Sequence, residues 1–204
     1  MHGLRLVIIL LLCSYMASGQ HVLKQYRTLT KPEKRWVKRH VFVARKAFRI
    51  SLQAEALYLK AMQDSIITGP ENGGNPDAFR HALWMAMLTQ SIGKKKALRL
   101  GKAHEKANYA YFLQHRLEYG QLPDSVSSVM DLLNNETGAQ LGLDMPKANV
   151  HELQTALLQL VQNGKLHIIK TKPDGAWLMC DGTEPDGTQW QGQWHIPKCL
   201  VPSY

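Results

Sequence analysis

The sequence predicts a mainly α fold, a compact bundle-like helical domain with a small antiparallel β appendage at its C-terminal end. Three observations predict it. Apolar residues recur every three to four positions through most of residues 31–163, and capping residues and breakers punctuate them. β-branched and aromatic runs separated by Pro/Gly turns come only after Gly164. The chain has 204 residues, 45% hydrophobic and 20% charged, enough for one buried core and too apolar for wholesale disorder.

Taken in order, residues 1–19 have the pattern of a signal peptide. Arg5 precedes an apolar run from Leu6 to Cys13, and the small residues Ala17, Ser18 and Gly19 follow. The run is shorter than the ~20 residues of a membrane span, and no second one follows. The expectation is a secreted or periplasmic protein cut near Gly19, with no transmembrane span once the signal is removed. An uncleaved anchor and a lipid-modified Cys13 are the alternatives.

The helical domain is placed at residues 20–164. Thr30 and Glu33 flank Pro32 as a capping box. Val37, Val41, Ala44, Phe48 and Leu52 then mark an amphipathic helix, or two in succession, over residues 31–65. Gly69 to Asn75 is a loop rich in breakers. Asn75 as N-cap, Pro76 and Asp77 open a helix that Gly93 ends. A helix over residues 95–119 is closed by Gly120. Asp124 or Ser125 caps the next, to about Leu141, so the motif-bearing helices span 76–141. Asn149 and Glu152 form a second capping box on a helix over 150–163.

Residues 165–204 form the appendage, with strands expected at 166–171, 176–180 and 188–196, the last alternating with Trp190 and Trp194. Cys180 and Cys199 suggest one disulfide in an oxidising compartment, worth about 3 kcal/mol in the chain-entropy model. Two free thiols are the alternative. Without a CxxC pair they make a poor structural zinc site.

The net charge of +9 is unevenly spread. Residues 20–60 carry eleven Lys/Arg against Glu33 and Glu55, whereas residues 61–204 are close to neutral. The basic segment suggests an anionic envelope or lipid surface as partner, through residues 31–49. Nucleic acid is not expected of an exported chain with no nucleic-acid-binding motif.

Three helices carry polar clusters that helix propensity does not ask for. Asp77, His81 and Trp84 share a face, with Arg80 beside them; His104 and Asn108 share another, with Glu105 one step round; Asp131, Asn134, Asn135 and Gly138 share a third. Packed together, they suit a divalent metal with an open position, zinc first among the choices. In that reading His81, His104 and Asp131 are ligands, Glu105 or Asp77 is a further ligand or general base, and Arg80 grips an anionic group. Asn134, Asn135 and Asn108 orient the ligands from behind. The resulting expectation is an exported, metal-assisted hydrolase of a phosphoester or related envelope substrate. Its alternatives are a non-catalytic helical module with a buried hydrogen-bond network, and metal-independent acid–base cleavage.

The blocks at 77–84 (DAFRHALW), 103–105 (AHE) and 130–138 (MDLLNNETG) resemble an uncharacterised bacterial domain family with DAFRHAxW, HE and MDLxNNxxG blocks in this order, found in secreted and toxin-like proteins. The resemblance covers roughly residues 50–170. It implies an α-helical domain in a secreted setting, places Asp77, Arg80, His81, His104, Glu105, Asp131, Asn134 and Asn135 on motif positions, and supplies no activity.

Overall fold

The computed structural model describes residues 26–117 and 121–204. The expected signal peptide, its cut near Gly19 and the closing Gly120 lie outside the described residues, but the helix expected over 95–119 already ends at Leu113, where the chain turns through Gln114 and the positive φ of His115 (+50°). Among the described residues no helix is long and apolar enough to cross a membrane. The fold is mainly helical, with one small antiparallel sheet near the C-terminal end.

The basic stretch forms two helices, α1 (Lys31–Arg39) and α2 (Val41–Gln63). The backbone N–H and hydroxyl of Thr30 both donate to Glu33 Oε2 at 2.8 Å, satisfying a donor that the first turn would leave open. At His40 the backbone (φ −133°, ψ 38°) leaves helical geometry and the chain turns. Trp36 anchors α1, buried, with its indole N–H donating to the Lys96 carbonyl at 3.1 Å.

α3 (Asn75–Ile92) is the central helix, and it is apolar nearly all round. Phe79 and Leu83 meet Ala54, Tyr58 and Ala61 of α2, while Met85 and Leu88 meet Trp36 and Ala47. Gly74, not Asn75, is the N-cap. Asn75 lies inside the first turn because its amide is used elsewhere, donating to the Tyr204 carbonyl at 2.8 Å. Gly93 (φ +86°) ends α3 as expected, and α4 (Lys94–Leu113) follows at once.

α5 (Ser125–Asp144) is capped by Asp124, which accepts from the Val126 and Ser127 amides at 2.9 and 3.1 Å. It does not stop near Leu141. Gly142 continues the helix because it lies against Ala86, where a Cβ would meet the Ala86 carbonyl. Gly138 likewise sits on Ala82, so α3 and α5 approach backbone to backbone. α6 (Val150–Gln162) starts from the expected Asn149/Glu152 capping box and buries Leu153, Leu157 and Val161 on the core.

In the tail, β1 (His167–Ile169) pairs antiparallel with β2 (Leu200–Pro202), Ile168 opposite Val201. A disulfide joins Cys180 and Cys199, as expected. The strand expected over residues 188–196 does not form. Asp186 caps the Thr188 amide at 2.8 Å and winds α7 (Gly187–Trp190), a single turn. Nor is 176–180 a regular strand: it touches its neighbours through a Thr171–Trp177 bridge and through Leu178, which bonds Lys170 and Cys199. Ser203 ties the tail's end to the body, donating to the Val161 carbonyl at 2.8 Å and accepting from the Leu166 amide.

Candidate functional site

The site forms where α3 crosses α5. Because the two backbones touch at Gly138, the turn of α3 bearing Asp77, Arg80 and His81 lies against Asp131 and Asn135 of α5. His81 Nε2 is 3.4 Å from Asp131 Oδ1 and 3.6 Å from Asp77 Oδ1. One donor atom from each of the three side chains falls within 4.8 Å of the others, and all three residues are buried. This group can hold a metal ion.

Its protonation states are settled by its neighbours. His81 Nδ1 faces the Asn135 side-chain oxygen at 3.3 Å; that oxygen can only accept, so Nδ1 carries the proton. Nε2 accepts from Arg80 Nη2 at 3.2 Å. Burial, and then the Arg80 charge, pull the His81 imidazolium down to about pKa 3, so the ring is neutral at pH 7. Burial pushes the Asp77 carboxyl up, but the Arg80 charge and the Gly73 amide outweigh it and hold Asp77 below the usual carboxylate value. A neutral imidazole with Nε2 unprotonated, held from behind by an amide and flanked by an ionised carboxylate, is the form a metal requires. One group competes. Arg80 Nη2 lies 2.5 Å from Asp77 Oδ1 as well as against His81, so an ion bound to both displaces the guanidinium.

Two openings flank this cluster. On one side is a cavity of about 460 Å³ between α1, α2, α3 and α4, reached by Arg80 and His81 and lined mostly by apolar residues such as Val37, Phe48 and Leu100. On the other is a recess of about 40 Å³, bounded by Asp77, Arg80, Asn108 and Asp131 among others.

The remaining sequence candidates divide. His104 is on the cavity wall, its ring 6.2 Å from that of His81, outside the group of three donors. Its Nδ1 faces Glu33 Oε1 at 3.6 Å, and its ring packs edge-on to Trp84. Burial raises the Glu33 carboxyl, but its bonds to His104 and Thr30 bring it below its ordinary value. Glu105 is buried next to Asn108, which donates to it at 3.3 Å, and it borders a separate groove with Lys102 and Trp194. Asn135 is behind His81. Asn134 turns away: its amide donates to the His167 carbonyl and its oxygen accepts from the His167 amide, both at 2.8 Å, gripping β1.

Sequence reasoning passed over Glu33 as a site residue, because capping already explained it. The available signal was its charge, an acid kept among eleven cations.

A family model matches residues 34–165, which take in most of α1, all of α2 to α6 and every site residue above except Glu33. The chain belongs to that family, described as a domain of unknown function (DUF6973). The DUF6973 match starts before the span of residues 50–170 expected from the motif blocks, and so includes the cavity walls from α1 and α2. No curated protein and no solved structure matches the chain.

Proposed function

We propose that this DUF6973 chain is an exported, metal-assisted hydrolase acting on a phosphoester or related envelope substrate, with Asp77, His81 and Asp131 as the ligand set and zinc as the ion. The observation that carries this reading is the donor set itself: a neutral His81 and an ionised Asp77, brought to Asp131 within 4.8 Å beside a large cavity. A bound divalent ion would supply Lewis-acid polarisation of a phosphoryl oxygen and a more acidic water.

The chain's own residues supply the rest. Arg80, which bonds Asp77 and His81 and reaches the cavity, would turn its planar donor fork to the substrate's anionic oxygens if an ion took its place on those two side chains. His104, backed by Glu33, is the group placed on the cavity wall to give or take a proton. Asn135 keeps His81 in one tautomer and one orientation. The disulfide and the small-residue ending of the leader segment support export. The exposed cations of α1 and α2, with the fully exposed Phe42 at the turn between the helices, support docking on an anionic lipid surface.

One observation favours the non-catalytic alternative: Arg80 already satisfies both Asp77 and His81, as a closed hydrogen-bond network would. Elemental analysis of purified wild type and His81→Ala separates the two. The hydrolase reading expects metal in the wild type, loss of it in the variant, and phosphodiester hydrolysis that EDTA removes and zinc restores. Equal metal in both proteins, or none in either, overturns it.

A further inference from the structure

The seam between α4 and α5 holds buried oxygen donors that neither helix packing nor the group around His81 uses. The two helices run antiparallel, and Gly101 fixes their register: a Cβ there would meet the Asn135 side-chain nitrogen at 2.9 Å. One turn along each helix, in opposite directions, Glu105 falls level with Asp131; two turns along, Asn108 falls level with Ser128. Asn108, Ser128 and Asp131 accordingly meet in the walls of the recess of about 40 Å³. Asn108 is 2% exposed and Ser128 9%, and neither Asn108 Oδ1 nor Ser128 Oγ has a hydrogen-bond partner among the described residues. Such oxygens are costly to bury unless something in the recess meets them. Asn108 is also held in place. Its Nδ2 donates to Glu105 Oε2 at 3.3 Å, and a carboxylate only accepts, so the carbonyl oxygen is kept turned off Glu105.

Charge selects what meets these oxygens. Three carboxylates border the recess, Asp77, Asp124 and Asp131. Against them stand two cations, Arg80 bonded to Asp77 and Lys198 bonded to Asp124, so three ionised carboxylates leave one negative charge in excess. Lys102 and Lys106 are exposed on the separate groove beyond Glu105. A water would satisfy the two neutral oxygens and leave the excess charge in place, whereas a cation answers both. No imidazole or thiol borders the recess, and an all-oxygen donor set suits calcium or magnesium rather than zinc. At roughly 10–15 Å³ for each water-sized occupant, an ion and two waters fit.

We propose that the α4–α5 seam is a second metal site, for a hard divalent cation of the calcium or magnesium kind, held by Asn108 Oδ1, Ser128 Oγ and the Asp131 carboxylate, with water completing its shell. Glu105 is a positioning residue that acts through Asn108. Asp131 belongs to both groups, since its Oδ1 is 3.4 Å from His81 Nε2 and a carboxylate has two oxygens with which to bridge neighbouring ions. The site itself needs neither zinc nor turnover. Only its role rests on the hydrolase reading, in which the second ion shares the charge that develops on the phosphoryl group.

The test is titration of the full chain, stripped with EDTA and desalted, with terbium(III) as a luminescent stand-in for calcium. Trp177 borders the recess, so exciting tryptophan should light terbium bound there, and calcium should displace it. Asn108→Leu should weaken both ions by at least about tenfold, and Asn108→Asp, which keeps an oxygen, should bind them as the wild type does. Ser128→Ala should weaken them about threefold and serves if Asn108→Leu fails to fold. Trp177→Phe should dim the emission while calorimetry gives an unchanged calcium affinity. His81→Ala should hold calcium, whatever it does to zinc. Absence of both terbium emission and calcium heat, affinities unchanged in Asn108→Leu and Ser128→Ala, or emission untouched by Trp177→Phe overturns the proposal. So does loss of calcium together with zinc in His81→Ala, which would mean one ion site and not two. Zinc binding and phosphodiester hydrolysis without calcium binding would sink this proposal alone. Calcium binding in a chain that holds no zinc would leave it standing and remove the hydrolase reading.

Discussion

Asp124 and Asp131 lie two turns apart at the start of α5, both buried, and the clusters around them are built differently. Asp124 accepts from the Val126 and Ser127 amides, from the Ser127 hydroxyl and from Lys198 Nζ at 2.6 Å. Lys198, buried in turn, holds its ammonium over the Trp177 ring. Burial lowers the Lys198 pKa and Asp124 opposes it, as in a closed ion pair. Around Asp131 the arrangement is three donors able to share one ion, an arginine bonded to two of them, and a cavity that the arginine and His81 both reach. Buried charge alone therefore says nothing about chemistry. What distinguishes the second cluster is that its charges converge on one point and that a ligand has room to arrive.

The sharpest way to break this comparison is Lys198→Met. It leaves the Asp124 charge buried without its partner and should cost about 3–5 kcal/mol in urea unfolding, with metal content unchanged. If metal is lost as well, the two clusters are not separable. Next, Asn135→Ala removes the group that fixes the His81 ring, and metal affinity should fall about 10–100-fold in a competition titration, with the helical circular dichroism retained.

The pH dependence of the metal-free protein is a smaller effect. Folded His81 takes a proton only near pH 3, whereas the unfolded ring does so near 6.5, so the unfolded chain holds more protons between those values. Stability therefore falls as pH drops through that window. From pH 6.5 to 5 the wild type should lose about 2 kcal/mol more than His81→Gln, measured by denaturant midpoint. Identical pH profiles would show that the ring is not held neutral. The mildest change is Phe42→Ser, which should reduce flotation with phosphatidylglycerol vesicles by about tenfold and leave the unfolding midpoint in place. Unchanged flotation would detach the basic helices from any lipid role.

Much of the helical framework was legible because helix ends are local. Glu33, Gly93, Asp124 and the Asn149/Glu152 pair act on residues within one turn, so their effect can be read from spacing. The polar clusters were legible for a similar reason, since Asn and Asp inside helices need an explanation. What spacing could not give was the rotation and axial offset of one helix against the next. That offset is why Asp77 shares the donor group with His81 and Asp131, while His104, on an equally polar face, looks across the cavity to Glu33. The adjacent Asn134 and Asn135, about 100° apart on α5, serve different partners for the same reason, one β1 and one His81. The tail was least legible. Three-residue strands, one of them ending in a proline, carry almost no periodic signal, and of the two tryptophans beyond Asp186 Trp190 ends a capped turn while Trp194 packs on Tyr109 and Phe112 of α4.

The seam of Gly138 on Ala82 and Gly142 on Ala86 has a consequence for how this family can drift in sequence. His81 and Asp131 project from the same two helices that this seam holds in contact, so the gap between imidazole and carboxylate is a dependent variable of two absent methyl groups. A side chain at position 138 would act as a spacer, widening the jaws of the site without altering any residue in them.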